Sequence, residues 1–329
     1  MTTFHSVPTP PQPRRRGLKI YAILVTLLFV GSLFLIFSLL MLIGVLGSAM
    51  GTMGGGGNVT TETLVSGRHE KIAILPISGV IDANMYEQVR NFCNHIKSDR
   101  SIKAVIVEVD SPGGTVTASD EIYYELLQLK QSHPLTVSMR SMAASGGYYV
   151  AAASDKIYAQ PTTITGSIGI IMTTFQLTDL MQKLGIKPES IKSSNADDYK
   201  DAGSPFREMT DEDRTYFRNL LDSMHNKFAH IVDTSRTGKL SKPINEIAVG
   251  KIWTSDDAKS LGLIDDIAYP NEVWSHTATA AGLHNYTVIR LKTRISILDA
   301  LSASTPKIEL NLTPKQLESP TSHQLQFRH

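Results

Sequence analysis

Cysteine is almost absent from this chain of 329 residues, in which Cys93 is the single one. One cysteine cannot form an intrachain disulfide, so the fold must depend on a packed core and not on covalent cross-links. Cys93 also falls inside a helix predicted for 83–98, with no glycine turn or base framing it in sequence. We interpret it as a small buried apolar residue and not as a reactive thiol.

Acidic residues are missing from the first 50 positions, which carry four basic residues. The remainder of the chain has 28 basic against 31 acidic residues, a net charge of −3. A balance of this kind offers no basic face to a polyanion. Nucleic acid is therefore not an expected partner.

Histidine is missing between His133 and His225, over most of the central part of the chain. A serine hydroxyl is a poor nucleophile near neutral pH and needs a base to activate it. His225 and His230 fall on a predicted amphipathic helix, and neither has an acidic partner at a suitable spacing. A Ser-His-Asp arrangement is therefore disfavoured.

Charged residues are also missing from 20–46, a run of 27 mostly apolar residues. A helix of about 20 residues crosses a bilayer core, so this run predicts a transmembrane helix. The apolar region of a cleaved signal peptide is shorter, about 7 to 15 residues, so we favour an uncleaved anchor. The basic residues Arg14, Arg15, Arg16 and Lys19 predict a cytoplasmic N-terminus at the cell membrane, with the rest of the chain extracytoplasmic.

Composition divides the chain into five parts. Residues 1–19 are rich in proline and basic residues, which predicts disorder. The anchor at 20–46 is followed by a glycine-rich linker at 47–67, expected to be flexible. Residues 68–301 have the composition of one globular ectodomain, and 302–329 form a polar tail expected to lie outside the core.

Strand and helix patterns alternate through the globular part. Strands are predicted at 71–80, 102–109, 135–139, 156–159 and 168–172, and helices at 83–98, 116–131 and from Thr210 onward. The hydroxyl of Thr210 is placed to cap the amide of Asp213. This alternation predicts an α/β fold in which helical crossovers join parallel strands.

Small residues surround Ser145 in the stretch Met-Ala-Ala-Ser-Gly-Gly-Tyr-Tyr-Val at 142–150. Gly146 and Gly147 have no side chain to obstruct an approaching backbone, as expected for an exposed nucleophile on a strand-to-helix turn. There the free amides and the dipole of the helix would favour developing negative charge. A tight turn without chemistry would need the same small residues, so this stretch alone leaves both interpretations open.

Two further turns of small residues favour the catalytic interpretation of Ser145. Asp-Ser-Pro-Gly-Gly at 110–114 ends a predicted strand and leaves the amide of Gly114 available to an oxyanion. Thr-Gly-Ser-Ile-Gly at 165–169 is a similar turn that enters an apolar run. Three such turns at strand ends indicate a single site.

In this order, Ser-Pro-Gly-Gly, Met-Ala-Ala-Ser-Gly-Gly-Tyr-Tyr and Thr-Gly-Ser-Ile-Gly closely resemble the signal peptide peptidase A family of membrane-anchored bacterial serine peptidases. The resemblance covers roughly 71–268, including 251–265. Ser-Pro-Gly-Gly alone is shared with Clp proteases, whereas the ordered set is specific. The resemblance implies a Clp or crotonase-like fold of repeated ββα or βαβ units, preceded by one transmembrane helix.

The resemblance also implies a serine-lysine pair in place of a histidine-dependent triad. Ser145 matches the nucleophile of the family, and the lysine base of the family lies on a segment that resembles 191–205. That match selects Lys200, with Lys192 as the alternative. Without the resemblance, Lys200 would be interpreted as a solvated surface charge.

A lysine base must be neutral, which requires that the assembled protein shields it from water. The acidic neighbours Asp197, Asp198 and Asp201 would oppose this if they faced the amine. The hypothesis therefore requires Lys200 to be shielded in the assembled enzyme while these carboxylates face elsewhere.

Two more roles are implied by the same match. Ser167 corresponds to a serine that hydrogen-bonds the lysine and orients it, although a turn serine bonding its own backbone would occupy the same position. Gly114, with the amide after Ser145 as a second partner, would stabilise the oxyanion. No metal or cofactor is expected.

The substrates implied by the resemblance are extended apolar peptides, the remnants of signal peptides after their release from secreted precursors. The anchor implies contact with membrane lipid, and the family implies a homo-oligomeric ring in which a neighbouring chain could supply Lys200. Two other readings of the sequence stay open. One is a related peptidase that processes an intact membrane protein, and the other is a catalytically inactive anchored scaffold.

Overall fold

The computed structural model describes residues 59–196 and 199–293, together with isolated positions between 28 and 41. The N-terminal segment 1–19, most of the anchor at 20–46 and the tail at 302–329 lie outside the described residues. Within the part of the chain that is described, no helix is both long and apolar enough to cross a membrane.

A nine-stranded sheet is the frame of the described domain. Its strands are β1 Val59–Val65, β2 Lys71–Ser78, β3 Ile102–Ser111, β4 Leu135–Ala144, β5 Lys156–Ala159, β6 Ile164–Gly166, β7 Ile252–Thr254, β8 Asp266–Ile267 and β9 Thr287–Thr293. They are ordered β1-β9-β2-β3-β4-β5-β8, with β6 beside the end of β4 and β7 beside β6. The β1–β9 and β6–β7 pairs are antiparallel, and the other pairs are parallel.

Helices connect the strands as the alternation predicted. They are α1 Ala83–Ser98, α2 Val116–Lys130, α3 Gly146–Ala151, α4 Thr178–Lys183, α5 Asp211–Ser235, α6 Ile244–Ile247, α7 Ser255–Ser260 and α8 Pro270–Ala280. The fold is therefore a mixed α/β sheet with parallel strands at its centre, as the sequence predicted.

The central strands are apolar on both faces because both faces are covered. In β3, Val105 and Val107 contribute to a large core that includes residues of α1 and α2. Ala104 and Ile106, the alternate residues, contribute to a smaller core on the other face with residues of α8. The period of two in a strand places these neighbours on opposite faces. The sheet is thereby held rigid between helices.

The start of the long helix α5 was predicted correctly from its cap. The Thr210 hydroxyl accepts from the Asp213 amide at 3.1 Å, and the Asp213 carboxylate accepts from the Thr210 amide at 2.9 Å. This reciprocal pair satisfies two amides that have no partner inside the helix. The local signal was sufficient because a cap depends only on residues three positions apart.

The strand predicted at 168–172 is wrong. The strand in this region is β6, Ile164–Gly166, and residues 167–177 after it have no regular secondary structure. Gly166 and Ser167 both have positive φ angles, 85° and 50°, which turn the backbone away from the extended conformation. The apolar run that suggested a strand therefore begins after the turn and not within the sheet.

The predicted linker at 47–67 is also shorter than composition suggested, because its last part forms the strand β1, Val59–Val65. This segment is rich in valine and threonine, whose β-branched side chains favour strands. Its partner is β9, in which Thr293 pairs with Val59. Because the pairing of β1 with β9 joins residues more than 200 positions apart, the only local signal for β1 was this composition.

A buried ion pair ties α5 to the sheet. Arg236, 2% exposed, donates from Nη1 to Asp265 Oδ2 at 2.8 Å. Lys239 donates to the other oxygen at 2.8 Å, and the Ile157 amide of β5 donates to Oδ2 at 2.9 Å. Burial alone would raise the pKa of Asp265, but these hydrogen bonds outweigh it and lower the pKa to about 2. The carboxylate therefore stabilises the fold in its charged form.

We predict that Asp265→Asn lowers the free energy of unfolding by about 3 kcal/mol at pH 7, because Arg236 stays buried without its countercharge. The wild-type advantage should be full above about pH 4 and fade as pH falls towards 2, since the folded pKa is depressed. Urea unfolding of the full-length chain at a series of pH values measures both effects. Asp266→Asn, which removes the neighbouring exposed pair with Lys259, should cost much less.

Candidate active site

Ser145 is the one residue between strand β4 and helix α3. Its φ angle of 53° is in the left-handed region, which costs a residue other than glycine about 1 to 3 kcal/mol. Its carbonyl accepts from the amides of Tyr148 and Tyr149 at 2.9 Å each, so the helix begins immediately. The side chain is half-buried and is not used as a helix cap. This is the strand-turn-helix geometry that presents a nucleophilic hydroxyl.

Ser167 follows a neighbouring strand at the same edge of the sheet. Strand β6 pairs in parallel with the end of β4, Ala144 opposite Gly166. The Ser145 amide donates to the Gly166 carbonyl at 2.8 Å, and the Ser167 amide donates to the Lys251 carbonyl at 2.8 Å. The two left-handed serines therefore end two adjacent strands. Within the described part of the chain, neither hydroxyl makes a hydrogen bond.

The glycines that follow β3 pack directly against Ser145. A methyl group on Gly113, whose φ is +102°, would lie 2.8 Å from the Ser145 Cβ and 2.8 Å from the Gly146 nitrogen. A methyl group on Gly146 would lie 3.3 Å from the Gly114 nitrogen. The contacts at 2.8 Å are closer than a Cβ tolerates and the one at 3.3 Å is tight, so the approach of the two turns depends on glycine, above all at Gly113.

Two backbone amides next to Ser145 are available to a ligand. Ile81 donates to the Gly113 carbonyl and accepts from the Thr115 amide, both at 2.9 Å. Because backbone groups alternate in direction along an extended chain, the Gly114 amide points away from Ile81. The Gly146 amide belongs to the first turn of α3, where an amide has no partner inside the helix. Paired amides of this kind can stabilise an oxyanion.

A cavity of about 80 Å³ opens beside Ser145. Its walls include Gly114, Val116, Ser119, Tyr149, Ile170 and Phe228. Most of these side chains are apolar, so the cavity suits an apolar side chain of a bound peptide. Sequence reasoning missed Tyr149 and Phe228 as lining residues. The spacing of four from Ser145 to Tyr149 along a helix was a usable signal, whereas Phe228 comes from α5 and had none.

Lys200 is the remaining member of the predicted site. It is exposed in a turn and, among the described residues, its amine makes no hydrogen bond or ion pair. The alternative, Lys192, is half-buried and pairs with Asp201 at 3.2 Å. The structure therefore brings Ser145, Gly114 and Ser167 to one edge of the sheet, and among the described residues Lys200 makes no hydrogen bond or ion pair with any of them.

Comparison with known proteins shows which family the chain resembles. The model of peptidase family S49 matches residues 127–284, and that of Clp protease matches 59–173. A protein named as a signal peptide peptidase SppA in Enterococcus faecium is 32% identical over 251 residues, 72% of this chain and 72% of that protein.

Two further relatives are named as proteases. One, from Methanocaldococcus jannaschii, is 34% identical over 199 residues, which are 60% of this chain and 63% of that protein. The other, from Synechocystis sp., is 35% identical over 214 residues, which are 65% of this chain and 76% of that protein.

A serine on a strand-turn-helix, beside two free amides and an apolar cavity, defines with these relatives a serine peptidase of mixed α/β fold. The chain belongs to the signal peptide peptidase SppA family, within peptidase family S49. The resemblance stated from its three glycine-rich turns is confirmed.

We predict that Gly113→Ala lowers peptide hydrolysis about 100-fold, because the added methyl group would displace Ser145 and the Gly146 amide. The measurement is kcat/KM on an apolar peptide, with circular dichroism to verify folding. Gly238→Ala is the matched control, since Gly238 also has a positive φ, 74°, but nothing within 4 Å of the added methyl group. Equal losses in both variants would attribute the effect to backbone strain and not to the site.

Proposed function

We propose that this protein is a membrane-anchored serine endopeptidase that degrades signal peptide remnants after their release from secreted precursors. The observation that carries the proposal is the left-handed Ser145 at the end of β4, with the amides of Gly114 and Gly146 on one side and an apolar cavity beside it. The family to which the chain belongs supports peptides as the substrates.

The proposed reaction is acyl transfer to water. Neutral Lys200 removes the proton from Ser145 Oγ, which attacks the peptide carbonyl, and the amides of Gly114 and Gly146 stabilise the resulting oxyanion. Lys200 then gives the proton to the leaving amine as the C–N bond breaks, and an acyl-enzyme remains. Water, deprotonated by Lys200, hydrolyses the ester and restores the serine. Ser167 orients the amine through its hydroxyl.

We propose that a neighbouring chain supplies Lys200 to this site. In one chain Lys200 is exposed and its amine makes no hydrogen bond or ion pair with a described residue, so an approaching chain can both place it and shield it from water. A shielded amine is the condition for a lysine base.

The surface around Lys200 supports such an assembly. Large apolar side chains are exposed along 171–206, among them Ile171, Phe175, Leu184, Ile191, Tyr199 and Phe206. Ile191 alone is 93% exposed. A concentration of exposed apolar side chains in one segment is typical of an interaction site, and a heterologous contact between copies closes into a ring when its rotation permits.

The carboxylate of Asp201, next to Lys200 in sequence, already forms ion pairs with two cations. Asp201 Oδ1 accepts from Lys192 at 3.2 Å and from Arg207 Nε at 3.1 Å. Arg207 also donates from Nη1 to Asp213 at 2.6 Å, at the start of α5. Because these cations already compensate the Asp201 carboxylate, its charge opposes a neutral Lys200 amine less than that of an unpaired carboxylate would.

The proposed anchor at 20–46 would keep the enzyme at the membrane, with the catalytic domain on the extracytoplasmic side, where released signal peptides remain. Degradation of such peptides requires that they reach Ser145 as extended chains. The narrow cavity accepts one side chain at a time, which suits an unfolded apolar segment better than a folded protein.

We predict that Ser145→Ala and Lys200→Ala each abolish hydrolysis of a fluorogenic apolar peptide by the full-length, correctly assembled protein, because nucleophile and base act together. Lys192→Ala is the control and should retain activity. An active Lys200→Ala with an inactive Ser145→Ala would move the base to another residue, Lys192 first. An active Ser145→Ala would overturn the proposed nucleophile, and a wild type that cuts no peptide would favour the inactive scaffold.

A mixing experiment tests whether the pair forms between chains. If Ser145→Ala and Lys200→Ala chains are unfolded and reassembled together at equal amounts, about one quarter of sites should regain both residues by random assortment around a ring. Recovery of activity in the mixture, with none in either variant alone, is the expected result. A mixed assembly, verified by mass spectrometry, that stays inactive would show that each chain uses its own lysine.

A further inference from the structure

Tyr149 forms part of the cavity wall beside Ser145 and is held by a side chain that does not reach the cavity. It lies one helical turn after Ser145 on α3 and is 3% exposed. Its hydroxyl donates to Asp120 Oδ1 at 2.6 Å, and Lys227 donates to Asp120 Oδ2 at 2.8 Å. One carboxylate therefore connects three helices, α2, α3 and α5.

Phe228, the residue after Lys227, forms the neighbouring part of the cavity wall. It is 1% exposed, lines the cavity and has its ring centroid 4.8 Å from that of Tyr149. The ring of Tyr123 also contacts Tyr149, edge to face, with centroids 5.5 Å apart. The Tyr149 ring therefore packs against two aromatic side chains, and its hydroxyl is hydrogen-bonded to Asp120. A shift of Tyr149 would break one or more of these contacts.

The protonation states of Tyr149 and Asp120 do not change near neutral pH. Burial together with the hydrogen bond to Asp120 raises the pKa of Tyr149, so its hydroxyl remains a donor. Burial would raise the pKa of Asp120, but the hydrogen bonds from Lys227 and Tyr149 outweigh it and lower the pKa. Asp120 therefore stays ionised and accepts both hydrogen bonds across neutral pH.

The size of the cavity limits what can enter it. Its volume is about 80 Å³, whereas a cavity of about 150 Å³ is known to accommodate benzene. While Tyr149 and Phe228 keep their positions, the cavity therefore favours a small aliphatic side chain, such as that of alanine or valine, over an aromatic one.

We propose that Asp120 is a positioning residue that sets the upper size limit of the substrate side chain at the scissile bond, through Tyr149 and Phe228. The proposal rests on the proposed function, since it takes Ser145 as the nucleophile. It predicts that the enzyme cleaves after small aliphatic residues and that release of Tyr149 from Asp120 admits larger ones.

The experiment compares kcat/KM for three peptides that differ only in the residue before the cleaved bond: alanine, valine or phenylalanine. Tyr149→Phe removes the hydrogen bond to Asp120 and keeps the ring, and Asp120→Ala releases both Tyr149 and Lys227. We expect each variant to raise the phenylalanine-to-alanine ratio of kcat/KM about tenfold over wild type, mainly through KM for the phenylalanine peptide. Asp120→Asn, which still offers an acceptor to Tyr149, should keep a ratio close to that of wild type.

Tyr148→Phe is the matched control. Tyr148 lies next to Tyr149 on the same helix and donates its hydroxyl to the Leu263 carbonyl at 2.7 Å, but it does not line the cavity. Its loss should lower stability and leave the ratio unchanged.

Two outcomes would overturn the proposal. One is a wild type that cleaves the phenylalanine peptide as well as the alanine peptide. The other is an equal fall of kcat/KM for all three peptides in Tyr149→Phe. That result would show that the hydrogen bond between Tyr149 and Asp120 contributes to stability only. The proposed function is tested separately, because Ser145→Ala that still cleaves the alanine peptide would overturn the nucleophile whatever the ratios are.

Discussion

The hydrogen bond from the Ser145 amide to the Gly166 carbonyl, 2.8 Å, is the contact on which the site depends. It joins two parallel strands at the point where both end, and it holds Ser145 in the left-handed conformation that turns its hydroxyl out of the sheet. The strain of that conformation is sustained because the surroundings leave it no alternative. Gly113 packs against the Ser145 Cβ on the other side, so the turn is enclosed by backbone. Small residues are required here by this close approach as much as by chemistry.

The rest of the domain keeps these strand ends in place. Strands β3 and β4 are covered on one face by α1, α2 and α5, so their positions follow from a packed core and not from the loops. The buried pair of Arg236 and Asp265 fixes the end of α5 to the edge of the sheet formed by β5 and β8. Through Phe228, the same helix reaches the cavity beside Ser145. Stability and the proposed selection of substrate side chains therefore depend on one helix, and changes in its anchoring should affect both.

The sequence predicted what depends on neighbours along the chain. The bounds of α1, the cap at Thr210 and the turn at Ser145 follow from capping residues, apolar spacing and glycine, all within a few positions. Contacts between distant residues were not predictable in this way: β1 is a strand because β9 pairs with it, and Phe228 lines the cavity because α5 packs on α3. The false strand at 168–172 followed from an apolar pattern that ignored the left-handed turn at Ser167. Lys200 is a separate case, because its proposed role depends on a second chain.

The central claim is that Ser145 is the nucleophile, and a fluorophosphonate probe tests it directly because such probes form a covalent bond with an activated serine. After the full-length protein has been inactivated and digested with trypsin, fragmentation of peptide 141–156 locates the adduct among its three serines, Ser141, Ser145 and Ser154. The account predicts one adduct, on Ser145, that is lost in Ser145→Ala and forms much more slowly in Lys200→Ala. An inactivated enzyme with its adduct on another serine, and Ser145 unmodified, would contradict it.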